Sequence, residues 1–495
     1  MSSPTSPFVA LSNLQATALA ARCHNAFFRQ KQLKSLHDTL RNKSNEIADA
    51  IKQDTHVSDE EATTEVALAL NTIKEHYSSI DTAKELESEY KITKGKDAGD
   101  RRVPYGVAYI ESQRNHTPFF SAIAPLSAAL TAGSCVALKL ENTPRALPSL
   151  LGKLLTEALE SDTFTIISSD PEPEHLSACV QVYQEKQVAA PTYSQHVSPN
   201  SRVIAVIDRT ADLGSAAEQL VTARFAFGGT SPYAPDIVLV NEFIKKDFLE
   251  HVLKHSLRFL AGTGAISNGS TSARGPKKTS RVAELQDSQS WKLHVITQGD
   301  NGAIVDLTNL SALPTKSQQP VFAVSAITSL EHAISIVEQE LDPQDSLLAA
   351  YHFGTPSTGK YLSQFINADV SIVNHIPFRI LVGPAAPSSN PIDIESRYTP
   401  DHFTRSSPAY ISPPASQPAM SRVLLGKDNK KAATELFNKA TEEIKEKKRA
   451  ESIAIGYFEQ GILIGLGVYG IPLLTCIGAT IFFGVRAGLR RWVFV

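Results

Sequence analysis

Between Val103 and Leu155 the chain reads as an extended stretch, a loop, a helix, a second extended stretch and a second helix, and no other feature of the sequence constrains its fold as tightly. Val107 to Ile110 and Cys135 to Leu140 are the extended runs; Ser121 to Ala132 and the residues from Pro148 onward are the helices. Strands joined through a helix cannot form a tight hairpin, so they pair in parallel and need cover on both faces. The alternation therefore predicts an α/β protein with a doubly wound parallel sheet, the architecture that holds dinucleotides outside the carboxyl ends of its strands.

At 495 residues with a formal net charge of -3, the chain is long enough for two or three domains and has no basic excess, which excludes nucleic acid as an expected partner. Its four cysteines, Cys23, Cys135, Cys179 and Cys476, are scattered without metal spacing, so no metal site is expected and a reducing compartment is. Arg29 to Asp54 places Leu33, Leu36, Leu40, Ile47 and Ile51 on one face and predicts an amphipathic helix; a second is predicted over Glu60 to Ile80. The N-terminus lacks a basic segment followed by an apolar core, so no secretory signal is read there. From Gln460 to Val485, by contrast, no charge occurs, and the run exceeds the ~20 residues that cross a bilayer. Basic residues flank it on both sides, Lys445 to Arg449 before and Arg486 to Arg491 after. It reads as a C-terminal membrane anchor with the body facing the cytosol, on the endoplasmic reticulum or another organelle membrane. Pro472 is expected to kink the helix.

The stretch Arg224 to Val240, RFAFGGTSPYAPDIVLV, carries a resemblance. Arg224, Phe225, Gly229, Ala234, Pro235, Asp236 and the strand Val238 to Val240 match the segment of aldehyde dehydrogenases in which a reactive cysteine sits in a turn between helix and strand. Pro104, Gly106, Val107, Pro118, Phe119, Pro125, Gly133, Lys139, Thr143 and Pro144 match the same family further upstream. The paired N-terminal helices and the apolar C-terminal run are similar to the class 3 branch, which includes fatty aldehyde and fungal apocarotenal dehydrogenases. The resemblance implies two doubly wound Rossmann-like domains plus a transmembrane helix. Its boundaries fall at N-terminal helices 1-82, a dinucleotide-binding-like domain 83-205, a catalytic-like domain 206-375, a return and oligomerisation region 376-405, a linker and charged helix 406-451, and the anchor 452-495.

The resemblance also implies NAD or NADP as cofactor, with Lys139 reaching the adenosine ribose or its 2′-phosphate. Where the family keeps its catalytic groups, this chain has others. The cysteine position is Pro232, which has neither a nucleophilic side chain nor a backbone N–H. The general base falls at or near Ser198, the oxyanion amide at His116, and the signature glutamate near Lys316. The phosphate turn, matched to the stretch starting at Phe164, contains no glycine. Ser231 adjoins the cysteine position without a base beside it in sequence.

Three functions follow as expectations. The first is a membrane-anchored, catalytically impaired homologue that binds a lipophilic aldehyde or pairs as a homodimer or as a heterodimer with an active relative. The second is an active NAD(P)-dependent oxidation of fatty or isoprenoid aldehydes through a non-standard site. The third is a membrane scaffold that needs no pocket.

Overall fold

The computed structural model describes residues 7–260, 280–340, 346–388, 390–414, 417–426, 429–446 and 457–492. The Gly/Ser-rich segment read from Ala261 onward and the basic flank at Lys447 to Arg449 lie outside the described residues. The chain divides into two compact units, Met1–Ser412 and Pro413–Val495.

Two sheets build the first unit, and the one that contains Val107 to Leu140 is parallel, as the alternation predicts. One has five strands in the spatial order Phe164–Ile167, Cys135–Lys139, Val107–Glu111, Val180–Tyr183, Gln195–Val197, parallel throughout. The chain works outward from Val107–Glu111 and then reverses to Val180–Tyr183, so the strand order switches between those two. The other has seven strands, in the order Ser371–Val373, Ala349–Phe353, Val203–Ile207, Ile237–Asn241, Val321–Ile327, Gly302–Thr308, Lys292–Gly299. All its pairs are parallel except the last, an antiparallel hairpin with no counterpart among the sequence-based expectations. Both faces of the central strands are buried, which is why they read as unbroken apolar runs such as Val203 to Ile207. A short antiparallel pair, Arg102–Pro104 with Thr404–Ser406, returns the C-terminal part of the body to its start.

The helix expected over Arg29 to Asp54 is two helices, Ala26–Asn42 and Ser44–Thr55, interrupted at Lys43 with φ -114°. The apolar face continues through the break, so periodicity alone could not reveal it; the polar run Asn42-Lys43-Ser44, poor in helix formers, is where it occurs. Asn25 starts the first of them by accepting the amides of Phe27 and Phe28 at 2.9 and 3.2 Å. Helix Asp59–Ser79 opens with a capping box between Ser58 and Glu61.

In the second unit, Tyr457–Gly465 and Ile471–Trp492 are α-helical and joined by a π-helical turn, Leu466–Gly470. Pro472 is the second residue after it, and the wider turn accommodates a residue that lacks an N–H and crowds a carbonyl of the preceding turn. Glu459–Leu489 is long and apolar enough to cross a membrane, with mean hydropathy 2.0. It is the one such helix among the described residues.

His352 lies in the strand Ala349–Phe353 and is buried with neither ring nitrogen hydrogen-bonded among the described residues. Burial pushes its pKa down to about 4, so the ring is neutral. An unpartnered buried polar group costs about 1–3 kcal/mol. His352→Leu is therefore expected to raise the denaturant midpoint by the equivalent of about 1 kcal/mol; a fall of that size would show that the ring has a partner in solution.

Candidate active site and cofactor cleft

The turn that holds Pro232 leaves helix Leu213–Phe225 and enters strand Ile237–Asn241. Three consecutive residues have positive φ, Phe227 at 52°, Gly228 at 66° and Gly229 at 73°. Gly229 has no alternative, because a Cβ there would stand 2.7 Å from the Pro320 backbone. Its carbonyl accepts the guanidinium of Arg224 at 2.6 Å, and that fully buried arginine also donates to the carbonyls of Ser317, at 3.1 Å, and Gln319.

Pro232 itself is half-buried, and the carbonyls on and after it are taken. Lys316 Nζ donates to the Pro232 oxygen, and Tyr351 donates its hydroxyl to the Tyr233 oxygen at 2.9 Å. Lys316 also lies 3.3 Å from Asp236 Oδ2, while Arg224 Nη1 lies 3.8 Å from Asp236 Oδ1. Asp236 further accepts the amides of Val203 and Ser317, both at 2.8 Å. One buried carboxylate thus faces two buried cations. Burial lowers the pKa of Lys316 and takes that of Arg224 down to about 10, with Asp236 opposing both shifts.

His116 is brought to this turn. Its Nε2 is 2.8 Å from the Leu381 carbonyl and its Nδ1 is 2.9 Å from Thr230 Oγ1. Burial and the Arg397 charge push its pKa down to about 4, so it is neutral near pH 7. A carbonyl only accepts, so Nε2 carries the proton and Nδ1 is an unprotonated acceptor facing the Thr230 hydroxyl, whose one proton also has the Phe227 carbonyl within 2.8 Å. Neither nitrogen is left to donate to a developing oxyanion.

Ser198 is buried and donates its hydroxyl to the Ala385 carbonyl at 2.7 Å. It follows the outermost strand of the five-stranded sheet, and among the described residues no carboxylate or imidazole is hydrogen-bonded to it. Sequence reasoning missed Glu61 and Glu65, four apart on one face of helix Asp59–Ser79. Glu61 accepts the Phe227 amide at 2.6 Å, and Glu65 accepts the Phe119 and Phe120 amides at 2.8 and 3.0 Å. Their signal was the i, i+4 spacing of two acids in an otherwise core-facing helix.

Lys139 lies elsewhere, at the carboxyl end of its strand in an open cleft that also includes Glu111, Arg114, Glu141 and Arg145. The cleft lies outside the carboxyl ends of the strands Val107–Glu111 and Cys135–Lys139, the side of a doubly wound sheet on which dinucleotides bind. Its anion-binding groups are already engaged. Lys139 is paired with Glu111 at 3.0 Å and with Asp170. At the switch point, Glu185 accepts the Arg114 amide at 2.7 Å and pairs with its guanidinium at 2.9 Å. The first amides of helix Ala146–Ala158 are capped by Asp54, both at 2.9 Å. A diphosphate would have to displace carboxylates at each of these positions.

The glycine-free stretch Phe164 to Gln187, matched in sequence to the phosphate turn, runs from the edge strand Phe164–Ile167 to the strand Val180–Tyr183 beside the switch point. The turn beside the switch is Gln184 to Lys186, which also lacks glycine. The interval is short here as well: a four-residue helix, Pro173–Leu176, joins Ile167 to Val180, and among the described residues no helix joins Tyr183 to Gln195. The residues present do not fit NAD or NADP in the manner of the family.

A model of the aldehyde dehydrogenase family matches residues 14–182. Among curated proteins, aldehyde dehydrogenase family 3 member B1 of Rattus norvegicus is 23% identical over 379 residues, covering 70% of this chain and 78% of that one. The 4,4'-diaponeurosporen-aldehyde dehydrogenase of Staphylococcus aureus is 22% identical over 384 residues, covering 71% and 79%. Among solved structures, the substrate-bound state of Staphylococcus aureus AldH superposes with TM-score 0.65 at 17% identity, over 86% of this chain and 98% of that one. The NADP complex of glyceraldehyde-3-phosphate dehydrogenase from Bacillus halodurans gives 0.62 at 17%, over 81% and 90%. The resemblance read from the sequence, its class 3 character and the aldehyde dehydrogenase-like fold all stand.

Proposed function

We propose that this aldehyde dehydrogenase relative is a membrane-anchored protein that does not oxidise aldehydes and acts through binding, either of a lipophilic aldehyde or of a partner subunit. The observation that carries the reading is the turn at Pro232, where a ring stands in place of a thiol and Lys316 fastens the adjoining carbonyl. Supporting it are the engaged ring of His116, the internal bond of Ser198 and the carboxylates that occupy the cofactor cleft. In the serine protease subtilisin, losing the nucleophile or the base of the triad costs on the order of 10⁶ in turnover. A site altered at nucleophile, base and oxyanion donor together leaves no route of the ancestral kind.

The apolar helix Glu459–Leu489 supplies the anchor, and the relatives' names, one of them for a long isoprenoid aldehyde, suggest a lipophilic ligand. Homodimers, or heterodimers with a catalytically competent relative, are the expected assemblies.

The test uses the full chain in detergent micelles. NADH and NADPH formation is followed with a long-chain aldehyde, and thermal shift is measured with NAD and NADP. The expected result is no aldehyde-dependent turnover and no shift with either cofactor at millimolar concentration. Turnover that disappears in His116→Ala would instead establish a working enzyme with a non-standard site.

A further inference from the structure

Cys23 and Cys135 stand 112 positions apart in sequence, yet their sulfurs lie 3.6 Å from each other inside the protein. Cys23 belongs to the single turn Arg22–His24, and Cys135 opens the strand that ends at Lys139. The two backbones are pressed together: at Gly133, with φ +88°, a Cβ would come 2.9 Å from the Cys23 carbonyl. Arg29 clamps the same junction, donating to the Thr131 carbonyl at 2.6 Å and to the His24 carbonyl at 3.3 Å. Both thiols are buried, in a cluster with Leu11, Leu14 and Tyr109.

We propose that Cys23 and Cys135 form a reversible redox pair which a peroxide closes into a disulfide, fastening the N-terminal turn to the strand. A disulfide needs the sulfurs at about 2.05 Å, so they approach by roughly 1.5 Å to form one. The hydrogen bond with Cys135 favours the thiolate of Cys23, with Arg22 and Arg29 adding to it against burial; the same bond, together with burial, holds the proton on Cys135. The Cys23 thiolate attacks one peroxide oxygen, an S–O bond forms, the O–O bond breaks, and the departing hydroxide is protonated to water. The Cys135 sulfur then attacks the sulfenic sulfur of Cys23. The S–S bond forms, the S–O bond breaks, and hydroxide leaves as water with the Cys135 proton. Two thiols have lost two electrons to one peroxide, and a dithiol reductant reverses the change.

The loop so closed contains every residue from Cys23 to Cys135, including the helix that carries Glu61 and Glu65. Oxidation thus braces the layer that contacts the Pro232 turn, whether or not that turn has chemistry.

The experiment treats the full chain in detergent with hydrogen peroxide and maps its peptides without reduction. The expected result is a fall from four free thiols to two and a Cys23–Cys135 linked peptide that is two hydrogens lighter. The unfolding temperature should rise by about 5 °C and return with dithiothreitol. Cys23→Ser and Cys135→Ala should abolish the shift, and Cys179→Ala should keep it. The wild-type map carries the result even if a variant fails to fold. Four thiols surviving peroxide, sulfinic acid on Cys23 without a linkage, or a linkage through Cys179 or Cys476 would each overturn the proposal.

Discussion

Asp236→Ala is expected to destabilise the body by about 3–5 kcal/mol, the cost of leaving buried cations without their counter-charge. The carboxylate holds Lys316 at 3.3 Å, faces Arg224 at 3.8 Å and accepts two backbone amides. Its removal leaves both cations with carbonyl partners only and takes the acceptor from both amides, in a region closed to water. Against a total stability of roughly 5–15 kcal/mol, this is a fifth or more of what holds the fold. Chemical denaturation checks it, with Asp236→Ala/Lys316→Met as the companion: removing one cation along with the anion should recover part of the loss. A midpoint within about 1 kcal/mol of wild type in the single variant would show that the cluster is hydrated.

The second large effect concerns Glu65. Its carboxyl is buried and pushed up to about 8 by desolvation, which the Phe119 and Phe120 amides only partly oppose. An acid raised in the fold contributes stability that is fully present below its unfolded pKa of about 4.5 and is lost as pH rises through the folded value. Glu65→Gln keeps an oxygen for both amides and cannot ionise. The stability of the Gln variant relative to wild type should therefore climb by about 1.4 kcal/mol per pH unit between roughly pH 5 and 8, and level off above.

The difference between the two proteins is needed because His76, His116, His196 and His352 are each pushed down to about 4, mainly by burial. Those rings cost stability on acidification below their usual 6.5, which bends the wild-type profile the other way. Glu65→Leu should show the same climb relative to wild type, set lower by about 2–3 kcal/mol because the two amides are orphaned. A flat difference between Gln and wild type would mean that Glu65 is ionised in the fold.

The parallel sheets were legible because buried strands and crossover helices leave long apolar runs at fixed spacing, as in Val203 to Ile207 and Pro118 to Ala132. The break at Lys43 was not, since the apolar face of Leu33, Leu36, Ile47 and Ile51 continues across it. Pro232 could be read directly, because the loss of a nucleophile is a property of one residue. The roles of Lys316 and Asp236 could not. Lys316 was visible only as a charge reversal near the signature glutamate's place, and its bond to the Pro232 carbonyl depends on a contact 84 positions away in sequence. The cleft shows the same limit. Lys139 reads as a cofactor lysine, but its pairing with Glu111 and Asp170 arises from strand register and a loop, which local pattern does not encode.

The most direct measurement is the intact mass of the native full-length protein during incubation with a long-chain aldehyde and NAD or NADP. The prediction is an unchanged mass at every time point, with no acyl group on any residue. A stable increment equal to the acyl group, mapped to a cysteine and dependent on the nicotinamide, would contradict it.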